Sequence, residues 1–453
     1  MYNFFMETIK IIYAENIDDS FFTMERLSDT VETSDVSGKV AAIITDVRAK
    51  KDSAIKRYSA KFDKISPETL EIPHFELEDA KEELKKQNPK LYDALCRSRD
   101  LSFAFALRQK DSFENFEMEI APGLFTGQKI IPIERAGVYV PAGRFPLLSS
   151  VIMCIMPAKA AGCKEIILCT PPRENPKNSK APYADKGILA AATICNADKV
   201  FACGGAQAIA AMAYGTESIP PCDVIVGPGN KFVAEAKRMV YGQCGIDMVA
   251  GPSEVFIIAD DSANPSWVAA DMLAQAEHDV DAQAVLATPS KELAKKVAEE
   301  IEKQLKLLPT EQTARESLLR HGKIIITKDF TQAGEIANRK APEHLELALD
   351  NNKDRADLIE QVHNYGSLFI GHEAAEVLGD YAAGLNHTLP TSMAARYTGG
   401  LSVRHFLKTV TTLRTQDSSA DGYLQSLNDA AVLGDTEGLS GHAQAARIRM
   451  ITY

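Results

Sequence analysis

The stretch Gly251-Pro-Ser-Glu-Val-Phe-Ile-Ile-Ala-Asp-Asp261 and the helix-like segment after it, which ends in Gln275-Ala-Glu-His278, decide the fold class. Residues 255–259 form a short apolar run, which predicts a buried β-strand. Asn264 then stands where a helix N-cap belongs, and Pro265 follows at the first helical position. The stretch therefore predicts a strand, a polar turn and a helix, the unit from which parallel α/β sheets are built.

Apolar strands and helices alternate on the N-terminal side of this unit as well. Strands are predicted at 166–170, 199–203 and 223–226, with helices and short loops between them. This alternation predicts a doubly wound, mostly parallel sheet. Because ligands of such sheets bind beyond the carboxyl ends of the strands, the loops after Val140, Cys203 and Val226 are candidate binding loops.

The two ends of the chain lack the strand–helix alternation that is predicted for its middle. Residues 1–35 are predicted to form an arm that contains a short strand near Ile9–Tyr13, and helices are predicted at 36–62 and 76–109. The tail from about residue 400 to 453 is predicted to be helical. The loop 380–400, dense in Gly, Asn, Pro and Thr, is of the kind that carries function.

Charge and length narrow the classes of protein. The chain has 453 residues and a formal net charge of −12, with no basic tract, which argues against nucleic-acid binding and is compatible with a cationic small-molecule substrate. No apolar run approaches the length of a membrane span, and the N-terminus does not resemble a signal peptide. The eight cysteines form no Cys-x-x-Cys pair, so we expect a reducing, cytoplasmic compartment and no thiolate zinc site.

Several polar groups could carry chemistry, and each has a simpler alternative. Gln275 and His278 lie one helical turn apart and could be half of a metal site, or His278 could interact with the helix dipole. The pair Glu343-His344 suits general acid–base work but could equally be solvated. The loops Gly204-Gly205 and Gly227-Pro-Gly-Asn230 could receive phosphates on backbone N–H groups or could simply be tight turns, and neither fits the G-x-G-x-x-G fingerprint.

Taken together, these residues resemble the histidinol dehydrogenase family from about residue 36 to 450. The motifs that carry the resemblance are Gly137-Val-Tyr-Val-Pro-Ala-Gly143, Gly204-Gly-Ala-Gln-Ala-Ile209, Val226-Gly-Pro-Gly-Asn230, Ala250-Gly-Pro-Ser-Glu254, Gln275-Ala-Glu-His278, Ala341-Pro-Glu-His-Leu-Glu346, Gly379-Asp-Tyr381, Asn386-His-Thr-Leu-Pro390 and Glu437-Gly-Leu-Ser-Gly-His442. The resemblance implies a zinc- and NAD-dependent enzyme that oxidises L-histidinol to L-histidine through L-histidinaldehyde, the last step of histidine biosynthesis.

The resemblance also implies functions for individual residues. The ligands of one zinc ion per subunit would be Gln275, His278, Asp380 and His442. The zinc would hold the substrate, with further substrate contacts from Ser149, Ser253, His344, His387 and Glu437. His344 would be the general base and Glu343 would activate the water that adds to the aldehyde. NAD would be contacted by Tyr139, Gln207 and Asn230.

The fold that the resemblance implies is α/β, with two Rossmann-like, incompletely doubly wound domains, a helical N-terminal arm and a helical C-terminal tail. The predicted parts are an arm (1–35), a first α/β domain with most metal and catalytic residues (36–133 and 247–390), a second, NAD-binding α/β domain (134–246) and a dimerisation tail (391–453). The family's homodimer is intertwined, so the tail of one subunit, with Glu437 and His442, would complete the partner's active site.

Some positions depart from the family pattern and leave the substrate open. Ala142 stands where many members have glycine, and the segments 397–402 and Gly441 resemble members that oxidise other primary alcohols, such as a sulfonated diol. Arg144 could be an exposed loop charge or a clamp for an anionic substrate. A metal-stabilised binding protein on the same fold is a third hypothesis, which the intact pair Glu343-His344 disfavours.

Overall fold

The computed structural model of the chain describes residues 8–22, 31–65, 67–142 and 146–451. Arg144, the candidate clamp for an anionic substrate, lies outside the described residues. Within them, strands and helices alternate along most of the chain, as the apolar runs predict.

Strands and helices are numbered in chain order. The strands are β1 (Lys10–Tyr13), β2 (Phe116–Ala121), β3 (Leu124–Pro132), β4 (Arg135–Tyr139), β5 (Glu165–Thr170), β6 (Lys199–Ala202), β7 (Val224–Val226), β8 (Gly245–Ile246), β9 (Glu254–Ala259), β10 (Gln283–Thr288), β11 (Lys323–Ile326), β12 (His344–Ala348), β13 (Ser367–Ile370) and β14 (Leu407–Thr415). The helices are α1 (Val31–Phe62), α2 (His74–Gln87), α3 (Pro89–Lys110), α4 (Leu148–Ala161), α5 (Lys186–Ile194), α6 (Gly205–Tyr214), α7 (Lys231–Val240), α8 (Pro265–Ala276), α9 (Lys291–Leu305), α10 (Glu311–Arg320), α11 (Phe330–Lys340), α12 (Lys353–Gln361), α13 (Glu376–Tyr381), α14 (Asp421–Thr436) and α15 (Ser440–Met450).

Two parallel sheets share one strand order. The five-stranded sheet runs β6-β5-β4-β7-β8, and the six-stranded sheet runs β1-β11-β10-β9-β12-β13. All neighbouring strands in both sheets are parallel. Each sheet therefore contains five successive strands in the order 3-2-1-4-5, as in a Rossmann fold, and β1 extends the six-stranded sheet beside β11. The predicted α/β class with parallel sheets is confirmed.

The strand–helix unit at 251–278 forms as predicted. All six residues of β9 are buried, and the strand lies in the interior of its sheet, between β10 and β12. The side chain of Asn264 accepts a hydrogen bond from the backbone N–H of Ser266 at 2.9 Å, and Pro265 opens α8. The N-cap and the proline thus begin the helix where the sequence indicates.

The first three helices cover the five-stranded sheet. Helix α1 packs against α6 and α7, α2 against α5, and α3 against α4. Val40, Ile44 and Val47 of α1 join a buried cluster with Ile209 and Ile225 of that sheet's unit. This packing differs from the predicted grouping of residues 36–133 with the first α/β domain, because an amphipathic pattern specifies a buried face but not the sheet that covers it.

The prediction of an entirely helical tail is wrong at β14. This strand pairs antiparallel with β3 along all nine of its residues, and β2 pairs with the other edge of β3. Its sequence, Leu407-Lys-Thr-Val-Thr-Thr-Leu-Arg-Thr415, is rich in β-branched residues, which favour a strand. The helical C-terminal region is confirmed from Asp421 onward, where α14 and α15 pack together.

No helix in the described part of the chain is long and apolar enough to cross a membrane. Seven of the eight cysteines are buried, in keeping with the apolar surroundings that several of them have in the sequence.

Candidate active site

A cavity of about 1740 Å³ lies between the two parallel sheets. One wall comes from the five-stranded sheet and includes Tyr139, Gln207 and Asn230. The opposite wall includes His278, at the end of α8, and Tyr381. Residues that the sequence assigns separately to cofactor and to metal thus line one cavity.

The two sheets present opposite edges to this region. Tyr139 ends β4, and Gly205 and Lys231 open the helices that follow β6 and β7, so the five-stranded sheet contributes its carboxyl edge. In the six-stranded sheet, Glu254 and His344 are the first residues of β9 and β12, which places them at the amino edge. The rule that ligands bind at carboxyl ends therefore describes only one of the two sheets.

Close packing of the backbone on the carboxyl edge requires a glycine after β7. Gly227 has φ +117°, and a Cβ at this position would lie 2.1 Å from the carbonyl oxygen of Tyr139. Only glycine fits this contact. The Asn230 side chain accepts hydrogen bonds from the N–H groups of Phe232 and Val233, at 3.0 and 3.3 Å, and so caps α7. The N-termini of α6 and α7 thus both open beside the cavity.

Tyr139 is held in place by its own hydroxyl group. The hydroxyl oxygen accepts a hydrogen bond from the N–H of Gly205 at 3.0 Å. Burial raises the pKa of this phenol well above its usual range, so Tyr139 is neutral and serves as a fixed polar contact.

On the amino edge, Glu343 and His344 follow a sharp turn of the chain. Ala341 ends α11 in the left-handed region at φ +50°, which is unusual for a residue with a side chain. After this reversal the chain passes Pro342 and enters β12 at His344. Strained backbone of this kind is found preferentially at functional sites.

The imidazole of His344 is buried and oriented by the backbone. Its Nδ1 lies 3.1 Å from the carbonyl oxygen of Glu254. Because a carbonyl oxygen can only accept, Nδ1 carries the proton of this hydrogen bond. Nε2 has no hydrogen-bond partner in the described part of the chain and lies 3.7 Å from Oδ1 of Asp380. His344 therefore presents Nε2 toward Asp380.

Carboxyl groups surround His344. Burial alone would lower its pKa, but Glu343, Glu376 and Asp380 raise it to about 10. Burial raises the pKa of Glu343 to about 8, and His344 opposes this shift. The cluster holds more acidic groups than basic ones, so it attracts cations.

The other predicted substrate residues lie near this cluster. Ser149 lines the cavity, and its hydroxyl oxygen lies 3.2 Å from Nε2 of His387. Burial lowers the pKa of His387, and Asp380 opposes that shift. Ser253 immediately precedes Glu254 at the start of β9.

Comparison with known proteins identifies the family. The sequence profile of histidinol dehydrogenase matches residues 27–450. The chain belongs to the histidinol dehydrogenase family. Histidinol dehydrogenase of Streptococcus mutans is 43% identical to this protein, over 94% of this chain and 95% of the Streptococcus chain. The Aquifex aeolicus protein of that name is 43% identical over 90% of this chain and 91% of the Aquifex chain. The crystal structure of histidinol dehydrogenase from Elizabethkingia anophelis superposes with a TM-score of 0.87, at 32% identity, and covers 98% of this chain and 99% of that one.

Membership of the histidinol dehydrogenase family, a family of oxidoreductases, makes NAD a group to test against the cavity. Two helix N-termini and the polar side chains of Tyr139, Gln207 and Asn230 converge there. Backbone N–H groups at helix N-termini suit a pyrophosphate, and amide side chains suit a carboxamide or ribose. The residues present therefore fit a dinucleotide.

The zinc ligands predicted from the histidinol dehydrogenase family are only partly assembled in one chain. His278 lines the cavity, as does Tyr381, the residue after Asp380. Burial opposes the shift, but His344, with smaller effects of His387 and His278, lowers the pKa of Asp380. Gln275 is fully buried, and its amide, with its O and N atoms exchanged, donates to Glu376 at 2.7 and 3.1 Å and accepts from the N–H of Glu254 at 3.0 Å. The amide group of Gln275 is thus held by hydrogen bonds to Glu376 and Glu254 within the single chain.

Two predicted residues do not reach the site within the chain. Glu437 and His442 are exposed on the hairpin of α14 and α15, and neither lines the cavity. Among the described residues, no group of three or more His, Cys, Asp or Glu side chains could hold a metal ion. The donor types and the excess of carboxylates are of the kind that fits zinc.

Sequence reasoning missed the buried groups that support this site. Glu376 lies 4.0 Å from Nδ1 of His344 and contacts Gln275, and burial raises its pKa to about 8. Lys340 lies 3.6 Å from Glu254 and donates to Gln283 at 2.6 Å. Glu376 and Lys340 belong to none of the motifs that indicate chemistry, so only the fold reveals them.

Proposed function

We propose that this protein catalyses the NAD-dependent, four-electron oxidation of L-histidinol to L-histidine through L-histidinaldehyde, the last step of histidine biosynthesis. The names of its relatives and their identity over nearly the whole chain support this substrate. The observation that carries the proposal is the position of His344. Its Nε2 is buried, has no hydrogen-bond partner among the described residues and lies 3.7 Å from Oδ1 of Asp380, the residue before Tyr381 in the wall of the dinucleotide-sized cavity.

Zinc would be held by Gln275, His278 and Asp380, together with His442 of the partner subunit. Bound zinc would fix the imidazole and amino nitrogens of the substrate and so orient its alcohol carbon. The support for this ligand set is the presence of His278 in the same cavity wall as Tyr381, the neighbour of Asp380, and the exposure of His442 on the tail. Gln275 must release its amide oxygen from the N–H of Glu254 to take part.

In the first oxidation, His344 accepts the proton of the alcohol at Nε2. The hydrogen bond from Nδ1 to the Glu254 carbonyl keeps the lone pair on Nε2 in the neutral imidazole. Bound NAD would accept the hydride that the alcohol carbon loses as the O–H proton leaves, and the product would be the aldehyde. A nearby cation would offset the carboxylates that otherwise keep His344 protonated.

In the second oxidation, Glu343 takes a proton from the water that adds to the aldehyde. Its Oε2 accepts a hydrogen bond from the N–H of Glu254 at 2.9 Å, which fixes the carboxylate. His344 then deprotonates the resulting diol. A second NAD, bound in the same place, would accept the hydride from the diol carbon, and the carboxylic acid would form. Ser149, Ser253 and His387, with Glu437 of the partner subunit, would hold the substrate through both steps.

The test is NADH formation by purified, zinc-loaded protein. L-Histidinol should give two NADH per molecule, and a chelator should abolish turnover until zinc is restored. A panel of diols and sulfonated alcohols should give little activity. Turnover of one of those alcohols without turnover of L-histidinol would contradict the proposed substrate but leave the alcohol oxidation intact.

A further inference from the structure

The carboxylate of Asp63 lines the large cavity on the side of the five-stranded sheet. It follows the last residue of α1, and its backbone N–H donates to the carbonyl oxygen of Ser59 at 2.8 Å. One carboxylate oxygen, Oδ2, is buried and has no hydrogen-bond partner among the residues that the structure describes. A buried acceptor without a donor is uncommon in folded proteins and indicates a partner that binds there.

Asp63 lines the cavity together with Pro171 and Pro172, which follow the end of β5. It is close enough to raise the pKa of both Tyr139, at the end of β4, and Cys203, just beyond β6. Strand β5 runs between β4 and β6 in the sheet. The second strand of a Rossmann sheet is where an acidic residue receives the adenosine ribose of NAD.

The end of β5 itself carries no such acid. The strand ends at Thr170 and continues as Pro171-Pro172-Arg173. Arg173 lines the cavity, but its guanidinium donates to the carbonyl oxygen of Ala142, and it forms no ion pair with Asp63 within the described residues. A carboxylate is needed at this point of the fold, and α1 places one there.

The surroundings of Asp63 fit an adenosine. Tyr58 and Phe62 line the same cavity, with ring centroids 5.7 Å apart and planes 9° from parallel. Phe62 is 51% exposed, which leaves apolar surface for an adenine ring. Burial raises the pKa of Asp63 to about 6, with Arg173 opposing, so the group is ionised at neutral pH.

We propose that Asp63 accepts a hydrogen bond from the 2′-hydroxyl of the adenosine ribose and thereby selects NAD over NADP. The inference rests on the proposed NAD dependence. An ionised carboxylate gains from a hydroxyl donor and repels a 2′-phosphate. Arg173 nearby would otherwise favour that phosphate, so the choice between the two cofactors depends on the acid.

Calorimetric titration of the zinc-loaded protein with NAD, NADP and 2′-deoxy-NAD tests this assignment. The unaltered protein should bind NAD about 10- to 100-fold more tightly than either analogue. Asp63→Asn should weaken NAD binding by about tenfold and narrow the preference over NADP, while Asp111→Asn, an exposed acid outside the cavity, should change neither. Asp63→Glu should keep part of the preference, since it keeps the charge.

The outcomes separate this inference from the proposed function. If the unaltered protein binds neither NAD nor NADP, both the cofactor and the selectivity are wrong. Equal affinity of the unaltered protein for NAD and 2′-deoxy-NAD would overturn the contact with the 2′-hydroxyl alone, even if no Asp63 variant folds. The same NAD:NADP ratio in Asp63→Asn as in the unaltered protein would also overturn it.

Discussion

The Nδ1 atom of His344 donates to the backbone carbonyl oxygen of Glu254 at 3.1 Å, across the amino edge of two neighbouring parallel strands. The register that pairs His344 with Val255 sets this hydrogen bond. Because the acceptor is backbone, the side-chain identity at position 254 does not affect it. The sheet itself therefore holds the imidazole tautomer that a general base needs.

Replacing His344 by Ala should reduce turnover of L-histidinol by about 10²- to 10⁴-fold, because the alcohol proton then has no acceptor. NADH formation under saturating substrate measures the effect. His363→Ala, which changes an exposed histidine, should keep full activity. Unaltered turnover in His344→Ala would remove this residue from the mechanism.

Mixing two inactive variants tests whether the tail acts on its own subunit or on the partner. His442→Ala and His344→Ala should each be inactive alone. If His442 completes the partner's site, a dimer with one subunit of each kind contains one intact site. Refolding an equal mixture should then restore about a quarter of the original activity, since about half of the dimers are mixed and each has one site. No recovery, with mixed dimers shown by mass, would place His442 in its own subunit's site.

Local patterns predict the parallel sheets well, because an apolar run such as 255–259 must be buried wherever it lies. They fail at β14, where a β-branched segment forms a strand and not the predicted helix, and at α1, whose buried face fits either sheet. Both outcomes depend on partners distant in sequence, β3 for the strand and α6 for the helix. The residues of an element can favour a strand or a helix, but they do not show which distant element it packs against.

Some residues of the candidate site could likewise be predicted from sequence motifs, and others could not. Tyr139, Gln207 and Asn230 belong to glycine-containing motifs, and the structure places all three in one cavity, although their contacts with NAD remain predictions. Glu376 and Asp63 stand in unremarkable surroundings in the sequence. Their importance follows from burial beside other charged groups, which only the folded chain creates.

A buried ion pair should make a large contribution to stability beneath the glycine loop. Lys237 pairs with Asp247 and donates to the carbonyl oxygen of Gly227 at 2.9 Å, and Asp247 accepts from the N–H of Gly227 at 2.8 Å. Lys237→Met leaves the Asp247 carboxylate buried without its partner, which should cost about 3–5 kcal/mol. Urea unfolding measures the loss. Lys303→Met, which breaks an exposed pair with Glu300, should change little.

Close packing behind Glu343 should make Gly366 intolerant of a side chain. A Cβ there would lie 2.5 Å from the carbonyl oxygen of Glu343 and 3.1 Å from Cδ of Pro390. Gly366→Ala should lower the free energy of unfolding by about 1–3 kcal/mol and lower kcat, because β12 must shift.

The control is Gly38 in α1, where nothing in the described structure lies within 4 Å of an added Cβ. Gly38→Ala should therefore raise the free energy of unfolding by about 0.5–1 kcal/mol. Equal stability of the two variants would contradict the close packing at Gly366.

Asp63 should lower stability at neutral pH in the absence of cofactor. Burial raises its pKa to about 6 in the folded protein from 3.8, so any stability linked to its proton is present below pH 3.8 and lost as the pH rises through 6. Asp63→Asn removes this loss, and the cofactor-free variant should be more stable than the unaltered protein at pH 7.5, on the order of 1 kcal/mol after allowance for solvent screening.

The gain in Asp63→Asn should shrink toward pH 4.5, where the folded protein already holds the proton. Thermal unfolding at the two pH values measures the difference, and Asp111→Asn should show no such pH dependence. Saturating NAD should reverse the order of stability at pH 7.5, because the unaltered protein binds it more tightly. A stability gain that is equal at both pH values would mean that Asp63 is not protonated by burial, and a gain that survives saturating NAD would mean that the carboxylate does not contact the cofactor.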